Sequence, residues 1–186
     1  MSIATNSNSP LTPHIEYDLT KIKALVFDVD GVLSANTVSI NEADGAPNRT
    51  ANIKDGYALH LAAQQGIRLC IITGGKSIGV YRRYRVLGFE DIYQGVSHKL
   101  PVLKRWMEVR GLRREEVCYM GDDVPDIPSL RFAGLSCCPA DAACEARDAS
   151  IYISPIAGGM GCVRDVAEQV LKAKGLWMNE ADAFGW

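Results

Sequence analysis

Two aspartates separated by one residue end a short apolar run in the stretch LVFDVDGVLS. They are Asp28 and Asp30, and Gly31 follows them directly. A carboxylate can attack phosphorus as a nucleophile when a metal ion cancels the repulsion between the two anions. A second carboxylate two residues on can protonate the leaving alcohol and then deprotonate a water molecule. The pair is therefore suited to transferring and hydrolysing a phosphoryl group.

Further polar residues stand at the ends of two later apolar runs. Thr73 ends one of them, Asp122 follows the other, and Lys99 begins the helical segment between them. Because the carboxyl ends of parallel strands meet at one edge of a sheet, we expect these side chains to converge in one crevice. There Thr73 and Lys99 would hold the transferring oxygens and neutralise their charge.

Several carboxylates in one crevice call for a cation. Without one they repel each other and raise each other's pKa. The expected crevice offers oxygen ligands but no imidazole or thiolate, and such a set favours a hard divalent ion. The sequence therefore predicts a Mg²⁺ site.

The elements that position these residues follow from the alternation of apolar runs and helical spacing. The predicted strands cover 22–30, 67–74, 116–123 and 134–140, with weaker runs at 91–95 and 150–154. The predicted helices cover 54–66, 77–88, 98–111, 126–134 and 161–175. Continuous apolar strands alternating with helices indicate an α/β fold with a doubly wound, Rossmann-like parallel sheet.

One segment interrupts the alternation. Around Asp44 and Gly45, two short extended runs predict a β-hairpin over about 36–53 that projects from the sheet. Residues 1–18 are polar and are expected to form a flexible leader, so the domain covers 19–175. The tail, 176–186, is unusually aromatic for a frayed end.

Composition excludes several classes of function. The chain has 186 residues, 47% of them hydrophobic, which suits one domain. Twenty basic and 22 acidic residues give a net charge of −2 without a basic block, which argues against nucleic-acid binding. No stretch is apolar enough for a membrane span or a signal peptide, and the six cysteines lack metal-ligand spacing. We expect a cytoplasmic protein with reduced thiols.

The ordered motifs DVDGV, IITGG, HKL and GDDVPD resemble the four motifs of the haloacid dehalogenase-like (HAD) phosphatase superfamily. The resemblance implies that Asp28 is the nucleophile and that Asp30 is the general acid/base. It also implies that Thr73 and Lys99 hold the phosphate, and that Mg²⁺ binds to Asp28, Asp122 and the backbone of Asp30.

The same resemblance gives Asp123 and Asp126 a supporting place next to the metal ligands, directly or through water. Many members of the superfamily carry a cap domain after the first motif or between the second and third. Here the hairpin and one helix fill the interval from Asp28 to Thr73, and the interval from Thr73 to Lys99 is shorter. We therefore expect a HAD-like fold without a cap domain.

Five stretches are similar to the 3-deoxy-D-manno-octulosonate 8-phosphate phosphatases: DVDGVLS, NIKDGYALH, YQGVSHKL, GDDVPD and IAGGMGCVRD. This closer resemblance covers about 22–174. It implies a small phosphorylated sugar acid as substrate and a homotetramer assembled through the hairpins. It also implies a C-terminal tail that can cover a neighbouring site, a detail the sequence leaves open.

The resemblance also places the substrate contacts. They are Asp30, Asn52, Ile53, Lys54, Asp55, Gly56, Gly74, Arg83 and Lys99. Gly75 and His60 depart from the family pattern, since many members have arginine at both positions. A related group that acts on nine-carbon 2-keto-3-deoxy sugar acid 9-phosphates carries glutamate at the position of Gly75. The nine-carbon substrate is therefore the alternative to the eight-carbon one.

Two other classes compete with a phosphatase. A signalling receiver domain also forms an aspartyl-phosphate, but on its third strand, whereas Asp28 belongs to the first predicted strand. A non-catalytic scaffold with this fold would not need all four motifs. Each of these residues, taken alone, also has a structural explanation; Thr73 or Asp123, for example, can cap a helix. Their joint placement at strand ends favours catalysis.

Overall fold

The structure is a computed structural model, and it describes residues 14–178. Its strands are β1 Ala24–Phe27, β2 Ser39–Ile40, β3 Pro47–Asn48, β4 Arg68–Ile72, β5 Asp91–Tyr93, β6 Val117–Met120, β7 Leu135–Cys138 and β8 Tyr152–Ile153. Its α-helices are α1 Ile53–Gln64, α2 Ile78–Val86, α3 Lys99–Arg110, α4 Ile127–Phe132, α5 Cys144–Asp148 and α6 Cys162–Ala173. Single 3₁₀ turns cover 19–21, 114–116 and 124–126.

Six strands form a parallel sheet in the order β5-β4-β1-β6-β7-β8. The chain runs outward from β1 to β4 and β5, then returns to place β6 on the other side of β1. This reversal is the topological switch point of a doubly wound sheet, where ligands bind outside the carboxyl ends of the strands. The predicted fold class is confirmed, and Asp28 and Asp30 follow the strand at the switch point.

Both faces of the sheet are covered. Along β1, Leu25 and Phe27 pack in one core cluster, and Ala24 and Val26 pack in the other. Alternate residues of a strand point to opposite faces, so a strand covered on both sides must be apolar throughout. Trp106 of α3 is buried in the second cluster. Each such large side chain contributes about 1.5–3 kcal/mol by leaving water, and the core holds the strand ends in place.

Local signals set the helix boundaries. The Asn52 side chain accepts hydrogen bonds from the backbone N–H groups of Lys54 and Asp55, which begins α1. Ser77 caps α2 in the same way through the N–H of Val80. These caps explain why the helices begin within one residue of their predicted starts.

The hairpin is present as an antiparallel pair, with Ser39 opposite Asn48 and Ile40 opposite Pro47. Gly45 takes a φ of 70° in the connecting loop, as its D-G sequence predicts. The hairpin strands form a sheet of their own, separate from the six-stranded one.

One predicted boundary and one missing helix need correction. The predicted leader, 1–18, ends too late because Ile15 is fully buried and its N–H donates to the side chain of Gln169. Helix α5 was not predicted, since five residues are too few to show a helical period. In the tail, Trp177 packs edge-on against Tyr57, and residues 179–186 lie outside the described part. None of the described helices combines the length and apolar character that a bilayer crossing requires.

Candidate active site

A crevice of about 470 Å³ lies at the carboxyl ends of β1, β4 and β6. Its lining includes Asp28, Asp30, Thr73, Gly74, Lys99, Asp122, Asp123 and Asp126. All eight were predicted as site residues, seven after strand ends and Lys99 at the start of a helix, and the fold brings them together.

Lys99 is a buried cation between two carboxylates. Its Nζ lies 2.7 Å from Oδ2 of Asp28 and 2.8 Å from Oδ1 of Asp126, and its side chain is 5% exposed. A charge this deep is stable only when it is paired and hydrogen-bonded. The first residue of α3 thus delivers an ammonium directly to the predicted nucleophile.

Asp126 is saturated with partners. Its Oδ1 also accepts from the hydroxyl of Tyr119 at 2.6 Å, and its Oδ2 accepts from the N–H groups of Asp122 and Asp123 at 3.2 and 3.5 Å. Asp126 therefore fixes Lys99 and the loop after β6, and its oxygens have little capacity left for a ligand.

The carboxylates of the crevice have raised pKa values. Burial and the nearby Asp126 raise the pKa of Asp28 to about 6, although Lys99 opposes the shift. Burial, Asp28 and Asp126 raise the pKa of Asp122 to about 7. For Lys99, burial favours the neutral amine, but Asp28 and Asp126 outweigh it and raise the pKa. The crevice therefore has an excess of negative charge that a cation would relieve.

Two features fit a hard metal ion. Asp28, Asp122 and Asp126 each offer a carboxylate oxygen, and these atoms lie within 4.8 Å of one another. The Oδ1 of Asp28 is buried and has no hydrogen-bond partner among the described residues. Because Asp126 is saturated, Asp28 and Asp122 are the carboxylates that fit Mg²⁺.

Gly31 keeps the space beside these ligands open. Its φ is 81°, and a Cβ at this position would overlap the carboxylate of Asp122. A side chain here would therefore strain the backbone and displace Asp122.

Thr73 is 3% exposed, and the turn after it holds it in place. Its N–H donates to the carbonyl of Tyr93, and its carbonyl accepts from Val96, so the β4 and β5 loops are tied together. Its Oγ1 accepts from the N–H of Gly75 at 3.4 Å. This hydroxyl lines the crevice on the side opposite the β6 loop, where a phosphate oxygen could be bound.

Arg49 is a site residue that sequence reasoning missed. It follows β3 at the base of the hairpin and pairs with Asp30 through two contacts, Nε to Oδ1 at 2.6 Å and Nη2 to Oδ2 at 2.8 Å. The sequence signal that could have identified it is its position between the hairpin and Asn52, the N-cap of α1. Asn36 and Ser97 also line the crevice without having been predicted.

The remaining predicted substrate contacts do not reach this crevice in the same chain. Residues 52–56 form the cap and first turn of α1, and Arg83 lies on α2. Lys54 and Arg83 line a separate cavity of about 460 Å³ with Ile53. These residues stay predictions as substrate contacts.

Asp55 is buried and has one partner within its own chain. It is 2% exposed, and its Oδ1 accepts from the N–H of Arg164 at the start of α6, which joins α1 to α6. Burial raises its pKa to about 6. Its Oδ2 is buried without a hydrogen-bond partner among the described residues, and Asp55 stays a prediction as a substrate contact.

No protein-family model matches the chain. It is 37% identical over 166 residues to the 3-deoxy-D-manno-octulosonate 8-phosphate phosphatase KdsC of Salmonella typhimurium, covering 89% of this chain and 88% of the relative. The KdsC of Escherichia coli K12 is 36% identical with the same coverage.

Solved structures give the same result. The phosphatase of this type from Moraxella catarrhalis, crystallised with magnesium, phosphate and KDO, superposes with a TM-score of 0.81 at 36% identity, over 85% of this chain and 90% of that one. The Yersinia pestis enzyme superposes with a TM-score of 0.82 at 32% identity, over 86% and 85%.

Proposed function

This chain belongs to the 3-deoxy-D-manno-octulosonate 8-phosphate phosphatases of the HAD superfamily, and we propose that it hydrolyses that phosphomonoester with Mg²⁺ and Asp28 as nucleophile. The observation that carries the proposal is the pairing of the Asp28 carboxylate. Its Oδ2 is held by Lys99 at 2.7 Å, whereas its Oδ1 has no partner among the described residues. Lys99 therefore orients the carboxylate, and no other contact with a described residue has to be broken at Oδ1 when metal and substrate bind.

The reaction takes two steps. A carboxylate oxygen of Asp28 attacks phosphorus, the bond to the sugar oxygen breaks, and Asp30 gives that oxygen a proton. Asp30 then takes a proton from a water molecule, which attacks the phosphorus of the aspartyl-phosphate and releases inorganic phosphate. Mg²⁺, held by Asp28, Asp122 and the main chain of Asp30, supplies the charge that allows the two anions to approach.

Lys99 and Thr73 bind the phosphate oxygens during both steps. Lys99 neutralises the charge on the transferring group, and Asp126 and Tyr119 keep its ammonium at the strand ends. Asp123 supports the loop that carries Asp122. Gly74 lines the crevice next to Thr73, and its N–H is a further donor that we propose for the phosphate oxygens.

The substrate fits a site completed by other subunits. The predicted sugar contacts at 52–56 and Arg83 lie apart from the crevice within one chain, and no cap domain is present in the described part. We propose a homotetramer through the hairpin, in which a neighbour brings such residues to the crevice. Exposed apolar side chains near the hairpin, Ile40 at 61% and Ile53 at 76%, support such a contact. A monomer by light scattering at micromolar concentration would contradict it.

The compartment is a further part of the proposal. Cys118 and Cys137 lie buried side by side as free thiols, with sulfurs 3.7 Å apart. Such thiols persist in a reducing compartment, which supports a cytoplasmic enzyme.

The decisive experiment compares phosphate release from the eight-carbon 8-phosphate and from a nine-carbon 2-keto-3-deoxy sugar acid 9-phosphate. We expect higher kcat/KM for the eight-carbon ester, and loss of both activities in EDTA. Preference for the nine-carbon ester would favour the alternative substrate, which stays open because Gly75 matches neither the arginine of the eight-carbon group nor the glutamate of the nine-carbon group. Labelling of the protein without phosphate release would favour a receiver-like role, and no turnover with either ester would favour a scaffold.

A further inference from the structure

Arg49 is held in the site by a two-point ion pair. The Nε and Nη2 contacts to Asp30 match the paired geometry in which a guanidinium binds a carboxylate most strongly. The Arg49 side chain is only 9% exposed, whereas that of Asp30 is 42% exposed. The guanidinium is thus largely buried, and the more exposed carboxylate of Asp30 is the partner that solvent or a ligand can replace.

The guanidinium has an unused donor. Its Nη1 is buried and has no hydrogen-bond acceptor among the described residues. A buried donor without an acceptor is costly, so an anion that accepted from Nη1 would gain that interaction.

Gly75 makes the position of Arg49 possible. A Cβ built on Gly75 would lie 2.5 Å from Nη2 of Arg49 and 3.3 Å from Oδ2 of Asp30. The guanidinium therefore occupies the space that a side chain at residue 75 would take, next to Gly75 and Asp30, which both line the catalytic crevice.

Arg49 also lines a second cavity, of about 340 Å³, on its other side. Arg83 lines the same cavity with Ser77 and Thr50, and no acidic side chain of the described residues is among its lining. The Arg49 side chain thus stands between a crevice rich in carboxylates and a cavity that carries two cations. An anionic group reaching this boundary would meet Arg49 first.

We propose that Arg49 is a specificity-determining residue, which exchanges the carboxylate of Asp30 for the carboxylate of the sugar acid when the substrate binds. The inference rests on the proposed function, because it needs a substrate that carries both a phosphate and a carboxylate. One carboxylate replaces another on the same guanidinium, so the exchange costs little, and Nη1 can gain an acceptor. It also releases both oxygens of Asp30 toward the leaving group. A phosphate ester without a carboxylate cannot drive this exchange.

The test compares two substrates in Arg49→Ala and Arg49→Lys. For the eight-carbon sugar acid phosphate, we expect Arg49→Ala to raise KM about 10- to 100-fold, as for loss of a charged two-point contact. KM for glucose 6-phosphate, which has no carboxylate, should stay unchanged. Arg49→Lys keeps the charge without the paired geometry and should restore part of the loss. Gly75→Ala should also raise KM for the sugar acid phosphate, because its methyl group would crowd the guanidinium. Arg82→Ala is the matched control, because Arg82 lies on the exposed side of α2 and its loss should leave this KM unchanged.

Equal losses for both substrates in Arg49→Ala and Arg49→Lys would overturn the inference, since Arg49 would then act only by holding Asp30 or the fold. Unchanged KM for the sugar acid phosphate would overturn it as well. Failure of the proposed function has a different result from failure of this inference: the parent protein itself would show no turnover of the sugar acid phosphate. Calorimetric binding of the sugar acid without its phosphate tests the contact independently of turnover, and Arg49→Ala should weaken that binding by the same factor.

Discussion

Replacing Lys99 by methionine removes the ammonium between Asp28 and Asp126 and keeps most of the volume of the side chain. Both ion pairs are short, 2.7 and 2.8 Å, and the three side chains are at most 10% exposed. Removing one partner of a buried pair costs about 3–5 kcal/mol, because the other charge is left without compensation. For a domain of this size we expect the melting temperature to fall by roughly 10 °C near pH 8.

The loss of folding stability in Lys99→Met should increase as the pH rises. Burial and Asp126 already raise the pKa of Asp28 to about 6 in the presence of Lys99, and without the ammonium that pKa rises further. A carboxyl group whose pKa is raised by folding contributes stability below its unfolded value, near 4, and loses it as pH rises through the folded value. The Lys99→Met variant should therefore lose less stability relative to the parent at pH 5 than at pH 8.

Urea unfolding in EDTA at pH 5 and pH 8 measures this difference. Lys104→Met is the matched control, because Lys104 is exposed on the same helix, lies over the ring of Phe132 and forms no ion pair with the described residues. At pH 8 the variant should also lose about 10²–10³-fold in turnover. A variant as stable as the parent at pH 8, or a loss that grows on acidification, would refute the reasoning.

Two further predictions concern the metal. Gly31→Ala should weaken Mg²⁺ binding and lower stability, since the new methyl group overlaps the carboxylate of Asp122. Gly45→Ala is the control, because Gly45 has a similar φ of 70° but open space around it, so this variant should show only the backbone strain. If Gly45→Ala changed a Mg²⁺ titration as much as Gly31→Ala, the steric argument would be contradicted. Mg²⁺ should also raise the melting temperature more at pH 8 than at pH 5, because Asp28 and Asp122, with pKa values of about 6 and 7, must lose protons to bind it. The same rise at both pH values would argue against these two ligands.

The sequence predicted the fold and the centre of the site because both depend on local signals. Apolar runs covered on two faces identify buried strands, and a parallel sheet necessarily brings the residues after those strands to one edge. Asp28, Thr73 and Asp122 could therefore be placed together without coordinates. Lys99 could be placed as well, because its helix begins at that edge.

Other features depend on contacts between distant segments. The ion pair of Arg49 and Asp30 joins the base of the hairpin to the switch point of the sheet. No periodic pattern in the sequence indicates which arginine contacts Asp30. The burial of Ile15 depends on Gln169, which lies 154 residues away. The Oδ1 of Asp55 on α1 accepts from the backbone N–H of Arg164 on α6, a contact that no sequence pattern indicates. Such tertiary pairings set which polar residues face a ligand and which face the protein.

Phosphorylation of Asp28 is the central step of the proposed reaction. It is tested by measuring phosphate release from 3-deoxy-D-manno-octulosonate 8-phosphate in the presence of Mg²⁺, for the parent and for Asp28→Asn. Rapid quenching detects phosphate that is bound to the protein. The parent should release phosphate and carry a transient acyl phosphate, and the folded Asp28→Asn variant should show neither, with turnover at least about 10³-fold lower. Turnover near that of the parent in Asp28→Asn would contradict the account.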